Sequence, residues 1–191
     1  SRYLSPYEKL LGVYESSDDQ IPGTYGSYAD IVMETLILKC QPIMEKITEL
    51  KLQPACTFAR IYKKGDVLKR HKDRFSCEIS TTMFLGGDPW PIYLDPTGSN
   101  NILSGSETTT IVKPKPPKGM KVDLKPGDML VYSGCELEHW RNKFKGKSCA
   151  QVFLHYNNKK TPGSAQNIFD KRPHLGLPSW FQKVKLPTSK K

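Results

Sequence analysis

His71-Lys72-Asp73 sets an imidazole and a carboxylate two residues apart. In an extended segment residues i and i+2 point to the same face, so both side chains converge on one point. Alone the motif is weak, because the charge run from Lys69 to Arg74 reads equally well as an exposed polar stretch. A second histidine, His139, follows 68 residues later, after Lys125-Pro126-Gly127-Asp128 and the run Met129 to Tyr132. That stretch predicts a tight turn launching a buried strand, which delivers Glu136, Glu138 and His139 to its far end. Two His and one carboxylate leave three positions open on an octahedral ion, the donor set of non-haem Fe(II) sites, whereas a structural zinc site fills four positions, usually with Cys.

The elements that must position these residues change character along the chain. About 25 polar, turn-rich residues end in Ile21-Pro22-Gly23-Thr24-Tyr25-Gly26. Ser27 and Asp30 have a capping-box-like spacing, and Ile31, Val32, Thr35, Leu36, Leu38, Pro42, Ile43, Ile47 and Leu50 predict an amphipathic helix over about Tyr28 to Glu49. Pro42 is expected to kink or break it. After Pro54 come short β-like runs at Cys56–Tyr62, Glu78–Leu85, Pro91–Leu94, Thr108–Val112, Lys121–Leu124, Met129–Tyr132 and Ala150–Tyr156. Their turn signals favour an antiparallel sandwich or barrel over alternating βαβ units. Lys113 to Gly119 is a Pro/Lys connector, and the Pro-, Gly- and Lys-rich chain after Asn157 carries Leu175, Leu177, Trp180 and Phe181 as anchors for folding back.

The 191 residues, 37% hydrophobic and 25% charged, suffice for one domain with one core: a β core over about 55–157, helical support over about 27–50 and a tail over 158–191. No apolar run approaches the roughly 18 residues needed to span a bilayer, and Ser1-Arg2-Tyr3-Leu4 lacks a signal-peptide pattern, so a soluble protein is expected. The net charge of +10 comes mostly from Lys: of 29 basic residues 6 are Arg and 23 Lys. Nucleic-acid readers lean on Arg forks and stacked aromatics, so a solvated Lys surface is the preferred explanation and a nucleic-acid partner is not expected. Cys40, Cys56, Cys77, Cys135 and Cys149 are odd in number and without CxxC spacing, which favours free thiols in a reducing, cytoplasmic compartment.

From Phe58 to Tyr156 the chain resembles the 2-oxoglutarate/Fe(II)-dependent oxygenases, nearest their prolyl 4-hydroxylase-like branch. The matching pieces, in order, are Arg60-Ile61-Tyr62, His71-Lys72-Asp73, the Lys-Pro-Gly-Asp turn and its strand, His139, and the closing strand Ala150 to Tyr156. The resemblance implies a mainly β fold with N-terminal helix support (α+β), a double-stranded β-helix of jelly-roll, cupin-like form. It implies iron on His71, Asp73 and His139, with Tyr62 against 2-oxoglutarate, O2 as co-substrate and ascorbate as an accessory reductant. A cation near the start of the closing strand would clamp the far carboxylate, but the family's positions hold Ser148 and Cys149 here. Lys147 is the first candidate and Arg141 the third. Arg60 is the second, sharing Tyr62's strand parity, and a buried Arg requires an anion.

Other residues carry two readings. Arg74 is either a surface charge or a substrate-facing group at the mouth of the site. Trp140 and Trp90 either line a substrate groove or pack, and His155 reads as a hydrogen-bonded core or rim histidine rather than a ligand. His174 reads as solvated, Asp66 and Asp128 as turn residues, and Cys77 and Cys135 as small buried residues. Glu136 and Glu138 compete with Asp73 on composition alone. The family's activity implies hydroxylation of an unactivated C–H, foremost in a prolyl residue of a peptide or protein, by a monomer or homodimer. The loops Ser16–Gly26, Gly86–Trp90 and Thr97–Ser106 would surround the mouth. The alternatives are an oxygenase for a small molecule or free amino acid, and a cupin-like module that binds without oxidising.

Overall fold

The computed structural model describes residues 20–97, 110–111 and 119–183. Strand β1 (Tyr25–Tyr28) leads into helix α1 (Ile31–Thr48). Nine strands follow: β2 (Leu52–Lys63), β3 (Leu68–Lys72), β4 (Ile79–Gly87), β5 (Ile92–Leu94), β6 (Thr110–Ile111), β7 (Met120–Val122), β8 (Met129–Ser133), β9 (His139–Arg141) and β10 (Ser148–Asn158). They form two five-stranded sheets ordered β1-β2-β10-β4-β8 and β6-β3-β9-β5-β7, every recorded pairing antiparallel. The seven expected β runs all contain strands, although Thr108–Val112 is described only at its centre. Strands β1, β3 and β9 were not expected as separate elements: each is short and polar, and pairing with its sheet neighbours forms it.

Parity on β10 sets up the interior. Val152, Leu154 and Tyr156 turn to the side of α1, where they pack with Ile37, Met44 and Leu52, and the Tyr156 hydroxyl donates to the Ile37 carbonyl (2.7 Å). Gln151, Phe153 and His155 have the opposite parity, and Phe153 and His155 line a cavity between the sheets. Below it Tyr62, Leu68, Phe84, Trp90, Phe144 and Cys149 form a second cluster.

Helix α1 corrects three expectations. Its cap is Asp30, whose Oδ1 accepts from the Val32 and Met33 amides (2.9 and 3.2 Å), and Ser27 lies in β1 instead. The helix is not broken at Pro42 but runs through it as one element, with Pro42 on its exposed side. Its buried face is Glu34, Ile37, Cys40 and Met44, while Ile31, Val32, Leu38, Ile43 and Ile47 are exposed. A buried Glu34 among them is explained by the tail. Arg172 donates to both Glu34 oxygens (3.2 and 2.6 Å), so an ion pair, not the expected aromatic anchors, ties the tail to the body. Leu175 does pack on the α1 core, but Trp180 is 47% exposed and stacks on Phe181. All five thiols are free and buried. Among the described residues no helix is long and apolar enough to cross a membrane.

Candidate metal centre

Strands β3 and β9 are hydrogen-bonded neighbours with His71 directly opposite His139. A register irregularity between Leu68 and His71 turns the second half of β3 so that His71, and Asp73 just beyond the strand end, face inward. The two imidazole centroids lie 4.1 Å apart. Each ring is fixed by its own backbone: His71 Nδ1 contacts the Lys69 carbonyl (2.7 Å) and His139 Nδ1 the Leu137 carbonyl (2.9 Å). A carbonyl only accepts, so both Nδ1 atoms carry a proton, and in its neutral form each ring presents an Nε2 lone pair to the cavity.

Those Nε2 atoms each lie 3.4 Å from Asp73 Oδ1, and all three ligand atoms fall within 4.8 Å of one another. Three ligand atoms that converge this closely call for a cation among them, either a proton on a ring nitrogen or a metal ion. The other carboxylate oxygen, Oδ2, accepts the Ser80 hydroxyl (2.8 Å), and the Asp73 amide donates to the Gly134 carbonyl (2.8 Å). Burial pushes the Asp73 carboxyl up, but His139 and His71 outweigh it and hold it well below the usual carboxylate range. Burial, reinforced by His139, lowers His71 against the opposing pull of Asp73, which favours the neutral ligand form. The residues therefore fit a divalent metal.

The cavity measures about 350 Å³ and holds the triad together with Tyr62, Arg60, Arg74, Tyr132 and His155. Arg60 on β2 is 4% exposed, with its guanidinium 4.8 Å from the Phe58 ring centre and 5.6 Å from that of Tyr62. Tyr62 packs edge-on against Trp90, 4.7 Å between centroids. A second pocket of about 330 Å³, lined by Asp170, Lys171, Ser179 and Gln182, shares Tyr28, Phe58 and Arg74 with the first.

This architecture recurs in solved structures. A Pseudomonas putida prolyl-4-hydroxylase is 13% identical, with 76% of this chain and 78% of that one covered and a TM-score of 0.51. HygX from Streptomyces hygroscopicus, solved with nickel and 2-oxoglutarate bound, gives 14% identity, coverage of 81% and 77%, and a TM-score of 0.54. The α-ketoglutarate-dependent epimerase SnoN from nogalamycin biosynthesis gives 11%, 74% and 65%, and 0.55. The fold is the double-stranded β-helix. No protein-family model and no curated protein matches the chain.

Within the double-stranded β-helix several expected positions move. Lys147 is exposed, precedes β10, and lies outside the cavity; its amide donates to Asp88 Oδ2 (2.5 Å). The inward position at the start of β10 belongs to Cys149, fully buried. Trp140 also lies outside the cavity, because parity with His139 turns it outward, where it stacks on Tyr93 (5.7 Å) and under the Arg70 guanidinium (4.3 Å). Glu138 shares that outer face and pairs with Arg70. Arg141 keeps the parity of His139 and is fully buried, bonded to the Trp90 carbonyl and to Thr82 Oγ1 (3.0 Å). Its Nε has no hydrogen-bond partner among the described residues, and burial lowers its affinity for the proton.

Arg74 does face the cavity, held by Asp170 through both Nη1 (2.6 Å) and Nη2 (2.7 Å). Of the expected mouth loops, Ser16–Gly26 is described only from Gln20 and Thr97–Ser106 only at Thr97. Sequence reasoning missed Ser80, Gly134, Tyr28 and Asp170. A Cβ on Gly134 would stand 2.6 Å from Asp73 Oδ2 and 2.5 Å from the Cys77 carbonyl, a close approach that no short motif announces.

Proposed function

We propose that this protein is an Fe(II)- and 2-oxoglutarate-dependent dioxygenase that hydroxylates an unactivated C–H, with a prolyl residue in a peptide or protein as substrate. The observation that carries the reading is the pair of backbone-locked imidazoles facing Asp73 Oδ1 at 3.4 Å each, inside a closed β-helix. His71, Asp73 and His139 would hold Fe(II) on one face, and the bound iron with 2-oxoglutarate and O2 would supply the hydroxylating oxidant, releasing succinate and CO2.

The chain's own residues do the remaining work. Arg60 is the cation for the far carboxylate of 2-oxoglutarate: it is buried in the same cavity as the triad and offers a fork matched to a carboxylate. Tyr62, two residues on and inward, orients the same molecule. Phe58, Phe153 and Tyr132 give the cavity apolar walls that exclude water and suit a pyrrolidine ring. Arg74 lies where the two pockets join, so an elongated substrate such as a peptide would pass it with one residue at the metal and its continuation in the second pocket.

Anaerobic loading with Fe(II) and 2-oxoglutarate, followed by O2, is expected to yield succinate, increased by peptides that contain proline. Succinate no higher than in His71→Ala and Asp73→Ala, with a peptide library present, would instead identify a cupin-like binding module. Succinate that responds to small molecules or free amino acids but to no peptide would refute the prolyl substrate alone.

A further inference from the structure

The hydrogen bonds behind the metal ligands define a second functional group. Ser80 Oγ, fully buried on β4, has three neighbours: Asp73 Oδ2 at 2.8 Å, the Cys77 carbonyl at 2.8 Å and His155 Nδ1 at 3.0 Å. A hydroxyl has one proton to give. Both oxygens at 2.8 Å are acceptors, and the carboxylate is the stronger one. Were the proton turned toward His155, Ser80 and Asp73 would face each other lone pair to lone pair at 2.8 Å. The remaining contact must therefore run the other way, from His155 Nδ1–H to Ser80 Oγ.

That direction places a proton on Nδ1. A neutral imidazole protonated on Nδ1 bears a lone pair on Nε2. His155 lines the metal cavity, and its ring is nearly parallel to that of Phe153 (6°, centroids 6.4 Å apart). No hydrogen bond engages Nε2 among the described residues. We propose that His155 is a substrate-positioning residue that presents a bare Nε2 acceptor to the cavity, and that this acceptor takes a hydrogen bond from an N–H or O–H close to the reacting carbon. The substrate class is thereby narrowed to molecules with a donor beside the site of reaction. A peptidyl proline has no N–H of its own, so the donor is the amide of the residue that follows it. The assignment of the donor to a substrate rests on the oxygenase reading, whereas the ring's protonation does not.

Long-range ¹H–¹⁵N NMR of the Zn(II)-loaded protein with 2-oxoglutarate tests this directly. The chain has four histidines, and a His155→Gln variant assigns the signal. His155 is expected to show a protonated Nδ1 and an unprotonated Nε2, and Ser80→Ala to shift it toward the Nε2–H form. Two probes are then titrated: N-acetylproline methylamide, which has an amide N–H, and N-acetylproline dimethylamide, which has none. The first is expected to move the Nε2 resonance and to bind at least about ten-fold more tightly than the second, a gap that His155→Gln narrows. An Nε2–H ring or an imidazolium in the unmodified protein overturns the proposal, as does an equal response to the two probes, including none. Succinate formation by the Fe(II) form separates the two readings. Succinate with an Nε2–H ring sinks only the acceptor, while a bare Nε2 without succinate sinks only the oxygenase.

Discussion

At the residue scale the centre depends on groups that bear no ligand atom. Gly134 is the sharpest case, because a methyl group there meets the Asp73 carboxylate, the Ser80 hydroxyl and the Cys77 carbonyl together. The backbone carbonyl cannot rotate away, so Gly134→Ala must displace either the loop before β9 or Asp73 itself. We expect it to cost about 1–3 kcal/mol of stability, the usual range for overpacking, measured by urea unfolding of the metal-free protein. Co(II) affinity should fall as well, by roughly 10- to 100-fold, as for lost support of a ligand. Arg60 makes a different prediction. If it clamps 2-oxoglutarate, Arg60→Leu raises the KM for 2-oxoglutarate while Co(II) binding to the triad stays intact, since the guanidinium supplies no ligand atom. Equal losses in both would mean a collapsed cavity rather than a missing clamp.

At the element scale, what could be read in advance followed from local periodicity, and what could not depended on register. His71 and Asp73 were legible because i and i+2 share a face on any extended segment, and His139 because a turn and an apolar strand lead to it. Lys147 and Trp140 went the other way for the same geometric reason: a single step along the chain reverses the side, so proximity to His139 or to β10 says nothing about facing. Ser80 reaches Asp73 only through the β4 pairing, and Asp170 reaches Arg74 across 96 residues of sequence. Asp170 sits in a turn where Phe169, Asp170 and Lys171 have φ of 51°, 54° and 64°, a run that bulky side chains disfavour and no propensity scale would select. Its carboxylate repays the arrangement with bonds from Arg74, Tyr28 (2.6 Å) and Gln182 (2.9 Å). Burial raises the Asp170 carboxyl, but Arg74 and Tyr28 outweigh it and leave it below its ordinary value of 3.8. A depressed carboxyl contributes stability that is complete above the unfolded value and lost as pH falls through the folded one. Asp170→Asn should therefore cost roughly 1–3 kcal/mol at pH 7, less than breaking a fully buried pair because Arg74 is partly exposed. The difference should shrink below about pH 4, where the native protein loses the same contribution; urea midpoints at pH 7 and pH 3 would show it.

At the scale of the whole molecule the charge of +10 divides by residue type. Of the six Arg, Arg2 lies outside the described residues, and the other five are buried or held in ion pairs. Arg70, Arg74 and Arg172 pair with carboxylates, while Arg60 and Arg141 are buried between the sheets. The forks that a nucleic-acid reader would display are thus spent on internal structure, which leaves the Lys side chains to account for the basic surface. The Arg172 pair shows what such an interior cation does. Arg172 donates to Glu34 on α1, to the Ala55 carbonyl at the start of the β2 core (3.3 Å) and to the Phe169 carbonyl (2.8 Å). Glu34 also receives the Gly176 amide. One buried carboxylate therefore joins helix, core sheet and tail, and the tail in turn carries Asp170 to the mouth of the cavity. Removing Glu34 leaves the guanidinium buried with carbonyls only, so Glu34→Ala is expected to cost about 3–5 kcal/mol, as for other buried pairs broken on one side. The loss should be local before it is global: amide hydrogen exchange over residues 164–183 is expected to accelerate in the folded variant, with the β10 and β4 amides still protected. Uniform acceleration across the sheets would show that the tail is part of the core's cooperative unit instead of a separate wall fastened to it.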